Sequence, residues 1–218
     1  MLGSGVQIEC LAHPDVVDVL SVVRRPSGVQ HAKLAEIVHD DFLDFSRLAD
    51  RLSGYDACLF CLGVSSAGMT EEAYRNVTLD VTLAVAQTLL AASPGLAFCF
   101  VSGAGTDSSA TGRVMWARVK GETENRLLEL PFGRVWLFRP GYVQPMKGVR
   151  SRTRIYNLAY TVLGPLYPLL RRLGPGVVTT TEKLGLAMIR VVRDSASQKV
   201  LENRDINELA AAEQRMLA

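Results

Sequence analysis

The run from Leu96 to Val101, LAFCFV, is uncharged and apolar at every position. A strand of that composition has no face to offer water, so both of its faces are covered. Sheets covered on both faces are parallel sheets with helices packed above and below. This run therefore sets the fold class as α/β, with strands alternating with helices along the chain. It also opens a longer stretch that reaches Leu128. A loop of small and polar residues, Ser102 to Gly112, follows the strand. The helix after it carries Trp116 and Lys120 in its first turns, four residues apart and so on one face. Open sheets of this kind bind ligands beyond the carboxyl ends of their strands, which makes this strand end the first candidate for a site.

The rest of the chain repeats the pattern. Met1 to Leu11 reads as the start of a helix entered through glycines. Leu20 to Val23, Ala35 to His39, Ala57 to Leu62 and Arg134 to Phe138 read as strands, and Val200-Leu201 as a short addition. Phe45 to Leu52 suits a short helix. Thr70 is the expected N-cap of a helix that runs to about Ala92, with Glu71 and Glu72 favourably placed in its first turn. Its apolar stripe reads as Ala73, Val77, Val81 and Ala84. Thr181 is the expected cap of a helix to about Arg193, and Asp205 with Glu208 resembles a capping box for the last helix.

At 218 residues the expectation is one domain with a single large core. Hydrophobic residues make up 48% of the chain and charged ones 21%, which fits an ordinary globular protein. A net charge of +2 gives no basis for nucleic acid as a partner. No apolar stretch reaches the ~18 residues of a spanning helix. The front of the chain shows no basic region followed by a long apolar segment, which sets the cytoplasm as the expected compartment. Cys58 and Cys61 form a CxxC, but inside ACLFCLG they fall on a strand, where residues three apart face opposite sides. With no second CxxC and no histidine cluster, small enclosed thiols are favoured over a metal site, and no metal is expected.

Six fragments in order carry a resemblance: RRP after the first of these strands, DDF after the next, CLG after the third, then VSGAG, WARVKGETE and FRPG. Together they resemble the short-chain dehydrogenase/reductase superfamily, in its atypical NAD(P)H-binding or epimerase-like branch, which includes the Tat-interacting-protein-like oxidoreductases. The similarity covers nearly the whole chain. It implies a Rossmann-like doubly wound parallel sheet that holds NADP(H), with NAD the less favoured cofactor, and an oxidoreductase or epimerase-like activity on a small-molecule substrate.

The resemblance also implies residue roles. Arg24 and Arg25 stand where adjacent guanidinium groups meet a 2′-phosphate, although two arginines in a solvated turn would look the same. Asp41 and Phe42 stand at the adenine. Leu62, Gly63 and Val64 lie along the cofactor, Gly63 permitting close backbone approach. Pro140 and Gly141 border the nicotinamide, and Lys120 matches the lysine that binds the nicotinamide ribose.

Two departures qualify the match. The place of the superfamily's tyrosine, which donates a proton to the carbonyl oxygen receiving hydride, is held by Trp116, and an indole N–H does not titrate in a useful range. Ser102, Thr106, Ser108 or water is then left as donor, Ser102 being the best match to the superfamily's serine. Trp116 is either a flat wall against the ligand or core packing, and a non-catalytic NADP(H)-binding regulator is the alternative function. At the front, MLGSGV looks like the end of a G-x-x-G-x-x-G turn, with Gly3 its last glycine, and the first strand has no counterpart. The expectation is a natural chain longer by about ten to fifteen residues. Finally, Ile155 to Leu170 is uncharged between arginine clusters, which suits a membrane surface, an apolar substrate or a dimer face.

Overall fold

The computed structural model describes residues 1–149 and 176–218. The segment Ile155 to Leu170 singled out above lies outside the described residues. In chain order, helix α1 spans Leu2–Ala12 and strands β1 and β2 span Val19–Val23 and Leu34–Val38. A 3-10 turn over Ser46–Leu52 leads to β3, Ala57–Phe60. Helix α2 is Glu71–Arg75, a π turn covers Asn76–Asp80, and α3 is Val81–Ala92. Then come β4 (Ala97–Val101), α4 (Met115–Glu129), β5 (Arg134–Arg139), β6 (Tyr142–Gln144) and β7 (Val178–Thr180). Helix α5 (Thr181–Asp194), β8 (Val200–Glu202) and α6 (Asn203–Leu217) complete the order. None of the described helices is long and apolar enough to cross a membrane.

Contacts gather these elements into two compact units. One comprises Asp41–Arg139 and Ala196–Leu201. Its sheet runs in the order β3-β4-β5-β8, with β4 parallel to both neighbours: Phe60 pairs with Phe100, and Val101 with Phe138. All five residues of β4 are buried, as an uncharged run in the middle of a sheet must be. Phe98 stacks on Phe60 at 5.9 Å between centroids and meets Phe132 at 5.5 Å, so the aromatic side chains of β3 and β4 form the centre of this core.

Thr70 caps α2 as expected, its hydroxyl accepting from the Ala73 N–H at 3.2 Å. The expected stripe is corrected: Ala73 is exposed, and the buried row runs through Tyr74, Thr78, Val81, Val85 and Leu89. The row begins at Tyr74 and Thr78, whose polar groups hide them from an apolar count that settles on the neighbouring Ala73 and Val77. Cys58 lies in β3 and Cys61 just beyond it, the two not joined in a disulfide, and burial pushes the Cys58 thiol up to about 12, far from a reactive thiolate.

The other unit comprises Met1–Asp40, Pro140–Ser195 and Glu202–Ala218. Its two parallel pairs are β1-β2 and β6-β7. Helix α1 packs on α5, and α5 on α6. The packing of α1 on α5 depends on small residues: a Cβ at Gly5 would stand 2.4 Å from the Cβ of Thr181, and one at Gly185 2.8 Å from the Cβ of Glu9. Two helix starts are corrected. Thr180, not Thr181, caps α5, accepting from the Lys183 N–H at 3.0 Å. The capping box of α6 is Glu202 with Asp205, whose carboxylate accepts from the Glu202 N–H at 2.8 Å. Because β8 runs directly into α6, the helix begins earlier than the Asp205–Glu208 spacing predicts.

Candidate functional site

The carboxyl ends of β3, β4 and β5 carry Leu62–Val64, Ser102 and Arg139 at one end of one sheet. Ser102 is buried, and its N–H donates to the Phe138 carbonyl at 2.9 Å, continuing the ladder one residue past β4. Its hydroxyl donates to Glu124 Oε1 at 2.5 Å. Glu124 is 1% exposed and is held by Arg139, whose Nε donates to Oε1 at 3.0 Å and whose Nη2 donates to Oε2. Arg139 Nη2 also donates to the Ser108 hydroxyl at 2.6 Å. A buried carboxylate is tolerable only when paired and fully hydrogen-bonded, and here a guanidinium and a hydroxyl supply those partners.

Helix α4 positions the rest. Lys120 Nζ donates to the Ser102 carbonyl oxygen, so this ammonium closes the end of β4. Burial lowers its pKa to about 8, against the opposing attraction of Glu124 one turn further along the helix. Trp116, one turn earlier, is half-buried, and a Cβ at Gly105 would lie 3.6 Å from its Cη2. The indole therefore borders the loop that leaves β4, where Gly105 takes a φ of +84° that favours glycine.

The loop itself is organised by Asp107. Its carboxylate accepts from the Ser109 N–H at 3.0 Å, the Ser109 hydroxyl at 2.6 Å and the Gly112 N–H at 2.7 Å. The Ser109 hydroxyl, with these backbone donors, holds the carboxyl below its usual range. The loop lies on α4 so closely that a Cβ at Gly121 would stand 1.7 Å from the Asp107 carbonyl oxygen. That contact explains the glycine of VKGE: it is a seat for the loop. On its other side α4 is tied to α2 by two bidentate pairs. Arg75 donates to Glu122 at 2.5 and 2.6 Å, and Arg118 to Glu71 at 2.6 and 3.4 Å.

The remaining sequence-predicted residues divide between the units. In the unit just described, Asp41 is exposed and its carboxylate accepts from the Leu43 N–H at 3.0 Å. Phe42 meets Phe45 edge-on at 5.6 Å. Leu62 is half-buried, while Gly63 and Val64 are exposed. A Cβ at Gly63 would meet nothing within 4 Å, so no packing within the protein demands a glycine there. In the other unit Gly3 is exposed in the first turn of α1, and Arg24 and Arg25 are exposed just beyond β1. Pro140 is buried, and the Gly141 N–H donates to Asn203 Oδ1 at 2.9 Å. A Cβ at Gly141 would lie 2.1 Å from the Val177 carbonyl oxygen, so close chain packing already demands that glycine.

The structure thus brings Ser102, Trp116 and Lys120 together and adds Glu124 and Arg139, which sequence reasoning missed. The spacing Lys120–Glu124 carried a signal, since residues four apart share a helical face.

No family model matches the chain. Protein HTATIP2 of Rattus norvegicus is 32% identical over 108 residues, which are 48% of this chain and 43% of that protein, so the match spans less than half of the relative. The fold is that of solved Rossmann-like enzymes. The dTDP-glucose 4,6-dehydratase DesIV of Streptomyces venezuelae superposes with a TM-score of 0.66 at 16% identity, over 99% of this chain and 78% of the other. For the ADP-L-glycero-D-manno-heptose-6-epimerase of Helicobacter pylori the values are 0.64 and 14%, over 100% and 79%. The human epimerase family protein SDR39U1 gives 0.54 and 17%, over 98% and 77%. At these identities the likeness to the solved structures is one of fold.

Proposed function

We propose that the chain binds NADP(H) and is an oxidoreductase of the atypical short-chain dehydrogenase/reductase type, acting on a small carbonyl compound or the corresponding alcohol. The observation that carries this reading is Lys120. A lysine enclosed enough to have its pKa lowered to about 8, and tied to the backbone at the end of a central strand, is not a solvated surface charge. Two similar structures support the cofactor class: the DesIV structure is a complex with NAD and the SDR39U1 structure one with NADPH. The bound nicotinamide would supply or accept hydride. Gly63 and its neighbours Leu62 and Val64 offer the exposed backbone for it, and Lys120 offers a cation for its ribose.

Arg24 and Arg25 are the basis for NADP(H) over NAD(H), since a phosphate monoester is best met by guanidinium donors. A fluorescence titration with NADPH and with NADH tests this. NADPH is expected to bind more tightly by about tenfold or more, the gap of one or two charge-assisted hydrogen bonds, and to lose that advantage in the double variant Arg24→Ala, Arg25→Ala. Equal affinity of the parent for the two dinucleotides would refute the assignment, and binding of neither would refute the function.

A further inference from the structure

We infer that Lys120 Nζ is the group that delivers and recovers the proton at this site, a role that in this superfamily's pattern falls to the tyrosine which Trp116 replaces. The inference rests on the proposed nicotinamide-dependent chemistry. Reduction of a carbonyl needs two deliveries: hydride to the carbon, which the bound cofactor supplies, and a proton to the oxygen as the C=O π pair collapses onto it. The proton leaves Lys120 as an N–H bond breaks and an O–H bond forms, and the neutral amine then takes a proton from water. In the oxidation direction the same amine accepts the alcohol proton.

Two of the candidate hydroxyls have their protons committed elsewhere, and the third is held by Arg139. The Ser102 hydroxyl donates to Glu124 Oε1 at 2.5 Å in a buried position. The Thr106 hydroxyl donates to the Gly103 carbonyl at 2.7 Å. Ser108 Oγ accepts from Arg139 Nη2 at 2.6 Å, which ties it to the Arg139–Glu124 pair rather than to the Ser102 carbonyl where Lys120 sits. The Trp116 indole has no titration to offer. Lys120 spends one N–H on the Ser102 carbonyl and has three, so two protons remain to be directed.

Its surroundings also keep it labile at neutral pH. Burial lowers its pKa to about 8, close to the working range that acid–base catalysis favours. The charges on elements packed against it are largely consumed by one another. Glu124 on α4 is matched by Arg139 on β5. Glu71 and Arg75 on α2 are matched by Arg118 and Glu122. Asp80 ends the π turn, α3 and β4 carry no charge, Arg134 stands at the opposite end of β5, and the loop contributes Asp107 and Arg113.

The test starts with ionisation. The chain has five lysines, Lys33, Lys120, Lys147, Lys183 and Lys199. In protein labelled with 13Cε-lysine, the Lys120 signal is the one missing from Lys120→Arg. A midpoint near 8 is expected for it, and a midpoint at about 10.4, the ordinary lysine value, overturns the inference. The second arm follows NADPH oxidation with a panel of aldehydes and quinones. The rate is expected to fall as pH rises through the Lys120 midpoint, and Lys120→Arg, which stays charged, is expected to lose at least about a hundredfold. A rate that is flat across that midpoint overturns the inference. The dinucleotide titration described above is read separately, so failure of the cofactor reading and failure of the proton assignment give different results.

Discussion

Glu124 shows how one side chain can hold a strand end together. It receives a proton donor from Ser102 just past β4 and two from Arg139 on β5, and it sits one turn from Lys120 on α4. Removing its charge leaves the 11%-exposed Arg139 guanidinium without its partner. Glu124→Gln is therefore expected to destabilise the fold by about 3–5 kcal/mol, the usual loss on breaking a buried pair, as measured by urea unfolding. Because Glu124 is the attraction that opposes the burial of Lys120, the same variant is expected to move the Lys120 midpoint further down. A variant as stable as the parent, with an unmoved midpoint, would show the pair to be idle. Trp116 and Lys120 were legible in the sequence because their relation is local, four residues on one helix. Arg139 was not, because its pairing with Glu124 exists only once β5 lies beside β4, a non-local fact that no helical or strand period encodes.

At the scale of elements, α4 serves as a platform. Its first turns present Trp116 and Lys120, its salt bridges grip α2, and its surface at Gly121 carries the loop that leaves β4. Gly121→Ala forces a Cβ into the space of the Asp107 carbonyl oxygen and is expected to cost about 1–3 kcal/mol, seen as a lower thermal midpoint. The loop is also expected to loosen, with faster amide exchange at Ser109 and Gly112, whose N–H groups Asp107 now accepts. Unchanged exchange there would mean that the loop does not depend on this seat. Strands β3, β4 and β5 were readable from the sequence because continuous apolar runs leave few other choices. The α2–α3 stripe was misread because its buried row starts with Tyr74 and Thr78, which an apolar count passes over, and the cap of α6 because a strand runs straight into that helix.

At the scale of the molecule, each compact unit is assembled from pieces distant in sequence. The unit containing α1, α5 and α6 has its own charged centre. The Asp15 N–H donates to His13 Nδ1 at 3.2 Å, so His13 carries its proton on Nε2 and donates it to buried Glu213 at 3.0 Å. Arg193 donates to Glu213 from two nitrogens at 2.7 Å and to Asp15 at 2.8 Å, standing where a cation would otherwise be required. Gly5→Ala strikes this unit at the packing of α1 on α5. Hydrogen exchange is expected to rise by about tenfold or more in α1 and α5 while β4 and β5 keep their protection. A uniform rise across the chain would show that the two units open as one. None of this centre was read from the sequence, since His13, Arg193 and Glu213 become neighbours only through tertiary packing.

The same discontinuity sets the order in which the protein can be completed as it is made. Helix α1 is made well before its partner α5, which is synthesised only after β3, β4 and β5 have emerged. Strand β5 waits likewise, its outer edge open until residues 196–201 arrive to bring β8 alongside it. Until α5 and β8 emerge, the nascent chain therefore displays an unfinished helix face and an unpaired strand edge.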